Sequence, residues 1–386
     1  MIGAMTCWFS ATAIIPELIR DWQLSPAQAG WLTNAVQIGF VLGALASSLV
    51  NLPDIMRITR LITLSALLAA AANAVLLLQP GFTAAVAARF VTGVALAGLY
   101  PPAMKLMATW FVRGRGLAMG FLIAGLTLGS SMPHLFRALG GGVDWRVVVI
   151  ASTAATLSSA AIFGLLVREG PHGFGRATFD PRQALAVLRN RPVLLVNIGY
   201  FGHMWELYAM WAWFLAFARA AGQNGIMPFG GPSIFAFIVV ASGVVGCILG
   251  GVLSDRIGRC LTTAGMMAVS GTCAALIGFA FTGPAWLLAL IAVIWGISII
   301  GDSAQFSAAV TELANPRLIG TALTLQVSIG FALTVLAIWL MPHIAALLGG
   351  WQWTFVALLP GPVVGTWAML RLRGMEEAMS LAHGKR

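Results

Sequence analysis

Apolar runs of about 20 residues recur along the whole chain, separated by short polar connections. Each is long enough to cross a hydrocarbon core of about 30 Å as a helix, since an α-helix rises about 1.5 Å per residue. The runs predict twelve helical spans, near 1–19, 27–50, 60–79, 83–107, 116–137, 146–167, 193–217, 232–253, 261–281, 285–308, 318–341 and 352–373. The alternating short-strand pattern of a membrane barrel does not occur. The pattern shows no cleavable signal peptide. The first run ends by residue 19 and has no basic flank ahead of it, which predicts a start upstream of Met1.

Composition agrees with this pattern. Of 386 residues, 59% are hydrophobic and 9% charged, and the mean hydropathy is +0.91. A soluble chain of this length needs far more charge to cover its surface. The fold class is therefore all-α, a polytopic membrane protein with the lipid bilayer as its surroundings.

The net charge of +10 invites a nucleic-acid reading, but its distribution excludes one. If the N-terminus lies inside, all Lys and Arg except Arg20, Arg89, Arg137, Arg146 and Arg219 fall in cytoplasmic loops, span ends or the tail. That is the positive-inside asymmetry of a membrane protein. Both termini are expected in the cytoplasm and the chain in the plasma (inner) membrane. Cys7, Cys247 and Cys273 fall in spans and Cys260 in a cytoplasmic loop, so they read as small packing residues. Their spacing matches no zinc pattern, and no metal or cofactor is expected.

The chain repeats itself at an offset near 205 residues. Gly39 and Gly43 correspond to Gly246 and Gly250, and the stretch 141–145 to 349–353. Between the copies lies the longest polar connection, carrying Arg168, Glu169, Arg176, Asp180, Arg182, Arg189 and Arg191. The expected organisation is a six-helix bundle at 1–167, a cytoplasmic linker at 168–192 with a short surface helix near 183–188, and a second six-helix bundle at 193–386. Transporters built from repeated halves hold their solute near the midplane, between the halves.

The loop after the eighth span reads Gly251-Val-Leu-Ser-Asp255-Arg256-Ile-Gly258-Arg259. It resembles the signature loop of major facilitator superfamily transporters, and the helix count, linker and orientation resemble that family too. The resemblance implies the superfamily's twelve-helix fold, a monomer, a small-molecule substrate and alternating access. It also implies that Asp255, Arg256 and Arg259 latch the cytoplasmic face, with Gly258 making the turn. The corresponding first-half loop departs from the pattern: it is longer, lacks the glycine and keeps only Asp54. Arg89 opens a stretch similar to the family's fourth-helix motif, where the arginine is associated with proton coupling or anion contact; a structural anchor is the other reading.

Away from loops and span ends, on this reading only four ionisable side chains are left, Arg89, His203, Glu206 and Asp302. Such groups are costly in lipid, so they face the protein interior or a polar cavity. The three-and-four rule places Gly199, Gly202, His203, Glu206, Met210 and Trp213 on one face of the seventh span, read as a cavity wall. Trp295, Ser298, Asp302 and Gln305 share a face of the tenth. Gln326 and Asn34 are further polar candidates for contact with the substrate. For Glu206 and Asp302 two roles compete, proton carrier and hydrogen-bonding glue, and His203 and Glu206, one turn apart, would neutralise each other.

The leading reading is a proton-coupled secondary transporter of a small organic compound or anion. The alternatives are facilitated diffusion, anion exchange of the cyanate or nitrate kind, and drug efflux. Nitrate carriers of the superfamily use arginines in the second and eighth spans, and none stands there. A membrane enzyme lacks support, since neither a nucleophile elbow nor a phosphate loop occurs.

Overall fold

The computed structural model describes residues 1–111, 115–141, 144–172, 181–225 and 227–386; of Pro26, Asp54, 115–117, Pro181, Arg317 and His383 it describes the backbone only. Among these residues every regular element is helical. The long elements are α1 (Ile2–Ala13, continued past a 47° bend by Ile15–Trp22), α2 (Pro26–Leu49), α3 (Ile58–Ala74) and α4 (Phe82–Ala97 with Tyr100–Trp110). They continue with α5 (Arg115–Leu139), α6 (Arg146–Leu165), α7 (Arg191–Gln223), α8 (Pro232–Ile257) and α9 (Arg259–Ala280). The last three are α10 (Ala285–Gly301 with Ser303–Leu313), α11 (Ile319–Leu347) and α12 (Pro360–Arg373).

Ten of these helices are long and apolar enough to cross a membrane, and eleven if the bent α1 counts as one span. The remaining helix, α7, is 33 residues long and amply spans a bilayer by length. Its Asn197, His203 and Glu206 and its run of Trp and Tyr lower its apolarity. The linker's short helix, Ala184–Arg189, lies one residue further along than the sequence suggested.

Packing repeats along with the sequence. In the first chain half α1 packs on α5 and α6, α2 on α4, and α3 on α6. In the second half the same pattern recurs: α7 on α11 and α12, α8 on α10, and α9 on α12. Two helix pairs make most of the contact between the halves, α5 with α8 and α2 with α11, and these two pairs are equivalent under the repeat. The paired glycines explain the closest approaches. A Cβ on Gly246 or Gly250 would collide with the carbonyl oxygens of Ile297 or Gly301 on α10, and one on Gly39 with that of Phe90 on α4. Backbone-to-backbone contact of this kind gives van der Waals packing where lipid supplies no hydrophobic drive.

The breaks in α4 and α10 are also related. Helix α4 stops at Ala97 and resumes at Tyr100; α10 stops at Gly301 and resumes after Asp302. Pro101 and Pro102 account for the first, because proline removes an N–H and crowds the preceding turn. The second carries a carboxylate at the discontinuity, a place where interrupted helices expose polar backbone.

Candidate functional site

The intramembrane ionisable groups sort into separate clusters. Arg89 is fully buried, and every nitrogen of its guanidinium is bonded. Its Nε donates to Leu32 O at 3.3 Å, Nη1 to Cys7 O at 2.8 Å, Ser10 Oγ at 3.2 Å and Asn73 Oδ1 at 3.2 Å, and Nη2 to Trp8 O at 2.5 Å. These acceptors come from α1, α2 and α3, so the cation pins four helices of one half together. None of them is a carboxylate.

In the second half, Glu206 accepts from Trp295 Nε1 at 2.7 Å and from Ser270 Oγ at 2.8 Å. It is held between α7, α9 and α10. His203 does not pair with Glu206, one turn away on the same helix. Its Nδ1 lies 2.9 Å from Asp302 Oδ1, with both side chains 1% exposed. Neither carboxylate oxygen of Asp302 is in hydrogen-bonding geometry with any group. The contact with His203 is therefore electrostatic.

The face of α7 read as a cavity wall turns into its own half. Gly199 packs on Phe306 and Met369, and Gly202 on the carbonyl of Gly361 in α12. Met210 is buried, and Trp213 donates to Ile338 O at 2.9 Å and stacks on Trp351. Of that face, Trp213 reaches the first half, where its ring approaches the position of Gly30 in α2. The side of α7 that meets the first half carries Tyr208 and Trp211 instead. Tyr208 stacks on Trp8 with centroids 5.7 Å apart, and Trp211 meets Phe9 edge-on at 5.9 Å.

The other candidates are distributed as follows. Trp295 serves Glu206, and Ser298 donates to the carbonyls of Ile294 and Trp295 on its own helix. Gln305 accepts from Arg259 at 2.7 Å. Gln326 donates to Asn197 Oδ1 at 3.0 Å. Asn34 is different: it is fully buried, and neither its Oδ1 nor its Nδ2 has a partner.

At the loop between α8 and α9, Gly258 has φ +90°, a conformation that favours glycine, and it turns the chain from one helix into the next. Arg259 forks onto Glu312 with Nη2 at 2.7 Å and Nε at 3.3 Å, and its Nη1 reaches Ser254 and Gln305 at 2.7 Å each. Bidentate pairing of this kind is strong and directional. Asp255 and Arg256 are exposed; the backbone carbonyl of Asp255 accepts from Lys385. Glu312 also accepts from the backbone N–H of Ala382 at 3.1 Å, so the tail docks against the same carboxylate. In the first half the side chain of Asp54 lies outside the described residues. There Glu169 of the linker accepts from the N–H of Ile58 at 2.6 Å, an acid placed at the positive end of α3.

Three buried groups of the first half were missed in the sequence. Gln37 in α2 is fully buried with both amide atoms unpartnered. His134, a fifth intramembrane ionisable residue, is buried in α5 with Nδ1 unpartnered. At the end of the molecule away from the linker, Arg137 of α5 pairs with Glu17 and also donates to Ser233 at the start of α8. That last bond crosses from one half to the other. At the linker end, Thr324 and Ser48 approach to 3.4 Å between α11 and α2.

Residues 1–338 match the family profile of the Major Facilitator Superfamily. The chain belongs to this superfamily. Its members are transporters rather than enzymes. Among curated relatives, the niacin transporter NiaP of Acinetobacter baylyi is 25% identical over 68% of this chain and 65% of its own length. The probable sulfoacetate transporter SauU of Cupriavidus necator is 27% identical over 44% of this chain and 43% of its own. The chain thus spans less than two thirds of the length of these relatives. The crystal structure of a bacterial homolog to the human lysosomal transporter Spinster, in an inward-facing and occupied conformation, superposes with a TM-score of 0.69. It shares 17% identity and covers 96% of this chain and 94% of its own, a likeness of fold. The superfamily fold and the multi-pass membrane class inferred from sequence are thus upheld.

Proposed function

We propose that the chain is a proton-coupled secondary transporter that carries a small organic solute by alternating access. The halves α1–α6 and α7–α12 are the moving bodies, and the face bearing the basic linker is cytoplasmic, both termini with it. The single observation that carries the coupling is the His203–Asp302 contact. It is an imidazole–carboxylate contact buried at the break of α10, with the carboxylate bound by nothing else. A proton exchanged there changes the charge of a desolvated group, which biases the helix discontinuity it sits on.

Glu206 is less suited to this task, because two donors in its own half fix it. We assign it a structural role and move the coupling to Asp302. Arg89 likewise spends its donors inside the first half, which removes the residue on which the anion-exchange reading rested. The relatives named for niacin and sulfoacetate support a small organic solute.

The test is flux in proteoliposomes with an imposed pH gradient, using labelled nicotinate, nicotinamide and sulfoacetate. Asp302→Asn should abolish the pH-driven component and leave counterflow of the solute intact. Glu206→Gln should lower thermal stability more than it lowers coupling. Wild-type pH-driven flux in Asp302→Asn would sink the assignment.

A further inference from the structure

Four buried amide atoms without a partner sit on the surface where the halves meet. Asn34 and Gln37 are each 0% exposed, yet none of their side-chain oxygens or nitrogens is hydrogen-bonded. Leaving a buried polar group unmade costs about 1–3 kcal/mol, and native proteins keep such groups few. Two adjacent carboxamides with all four atoms orphaned call for an occupant.

Their direction follows from helix geometry. Gly30, Asn34, Gln37 and Ser48 lie within about 60° of one another around α2, at about 100° per residue. Gly30 at one end of this stripe meets Trp213 of α7, and Ser48 at the other meets Thr324 of α11. Asn34 and Gln37, between them, therefore face the second half.

Their depth is fixed as well. Thr12 of α1 and Thr33 of α2 are hydrogen-bonded at 2.7 Å, and the two helices are antiparallel. One turn from that contact stand Trp8 on α1 and Gln37 on α2, so they share a level. Trp8 packs on Tyr208 and Phe331 of the second half, and Trp211 lies beside Tyr208. The indole N–H groups of Trp8 and Trp211 are buried and also unpartnered. The layer therefore presents neutral donors, neutral acceptors and aromatic faces.

The charged groups named above stand outside this layer; Arg219, with a buried unpartnered Nη1, lies about two turns beyond Trp211 on α7. Arg89 is bonded at every nitrogen, Glu17 and Arg137 pair with each other, and so do His203 and Asp302. An ionised solute would find no counter-charge here and would lose its hydration.

We propose that this layer binds an uncharged aromatic or heteroaromatic solute bearing an amide-type group, which the carboxamides of Asn34 and Gln37 recognise beside the aromatic cluster of Trp8, Tyr208 and Trp211. The assignment rests on the transport reading given above and specifies its substrate. A site built to hydrogen-bond a partner discriminates strongly against solutes that leave its polar atoms unpaired.

The experiment is tryptophan-fluorescence titration of the purified full chain in nanodiscs at about pH 7.5 with two matched pairs, nicotinamide against nicotinate and benzamide against benzoate. Each amide should quench saturably at a concentration about tenfold or more below that of its acid. The Asn34→Leu, Gln37→Leu double variant should lose about tenfold or more in amide binding. It should also unfold at higher temperature, because two unsatisfied carboxamides are gone. If that variant fails to fold, the near-isosteric Gln37→Glu should show the same loss of amide binding. Acids binding as well as amides, no saturable response to either amide, or wild-type binding by a folded variant would each overturn the site. Flux of the same pairs keeps the two claims apart. Amides that bind without crossing the membrane would sink the transport reading and leave the site; flux blind to solute charge would sink the site and leave transport.

Discussion

The bond from Arg137 to Ser233 joins the two halves at the end away from the linker, and its removal should open that end. Arg137 is 9% exposed, Ser233 6% and Glu17 5%, so the bond is desolvated in this conformation. Ser233→Ala deletes the crossing bond and leaves Arg137 paired with Glu17 inside its own half. A hydrogen bond to a charged group contributes about 1.5–3 kcal/mol net. In a conformation with this end open, both groups are hydrated and the substitution costs almost nothing. The difference falls on the closed state alone and should raise the population of the open one by roughly one to two orders of magnitude.

A cysteine reporter reads this directly. A Cβ at position 30 would lie 3.4 Å from Trp213 Cζ2 in the closed arrangement, and all four native cysteines are buried. In the Gly30→Cys background, a hydrophilic thiol reagent should label slowly. Adding Ser233→Ala should speed labelling about tenfold or more. Arg137→Ala removes the same crossing bond along with the Glu17 pair, so adding Ser233→Ala to it should not speed labelling further. Equal labelling with and without Ser233→Ala would refute the claim that this bond holds the end shut.

Three further outcomes test the helix contacts. Arg89→Lys keeps the charge but cannot reach acceptors on three helices at once; it should cost about 2–4 kcal/mol in thermal or denaturant unfolding. Gly250→Ala should be severely destabilising, because its methyl meets the backbone of Gly301, whereas Gly251→Ala next to it faces open space and should be tolerated in the same melt. Glu312→Gln weakens both the Arg259 fork and the bond to Ala382, so limited proteolysis should cut the tail after Met375 faster than in the wild type.

How far the sequence went depends on what carried the signal. Periodicity and charge asymmetry act over many residues, so the helices, the linker and the repeat were legible, down to Gly39, Gly43, Gly246 and Gly250 as contact points. The direction of α7 was not. Its polar stripe through His203 and Glu206 reads as a cavity wall because a soluble cavity is the usual place for such groups. In lipid the interior of a half is an equally good refuge when partners exist, and Ser270, Trp295 and Asp302 supply them. Those partners lie about 64 to 99 residues away in sequence, beyond any local pattern. Gln37 and His134 were passed over for the opposite reason: nothing adjacent marks a lone amide or imidazole as unpartnered. Only the fold reveals that.

The distribution of charge suits the proposed movement of the two halves against each other. The pairs Glu17–Arg137, His203–Asp302 and Arg259–Glu312 each join residues of one half. Arg89 is held wholly within the first half, and Glu206 wholly within the second. The contacts that cross between halves are of another kind. Trp8 on Tyr208, Phe40 on Phe331 and Thr127 beside Cys247 are neutral, and Arg137 reaches across only to a hydroxyl. Separating an ion pair about 4 Å apart at an effective dielectric of 20 costs about 4 kcal/mol, several times the net worth of a neutral hydrogen bond. Had the ion pairs bridged the halves, each would add a barrier of that size to every cycle. Because they do not, the proposed rocking motion would separate, among these contacts, aromatic packing and single hydrogen bonds, which a solute held at the proposed layer of Asn34 and Gln37 can replace.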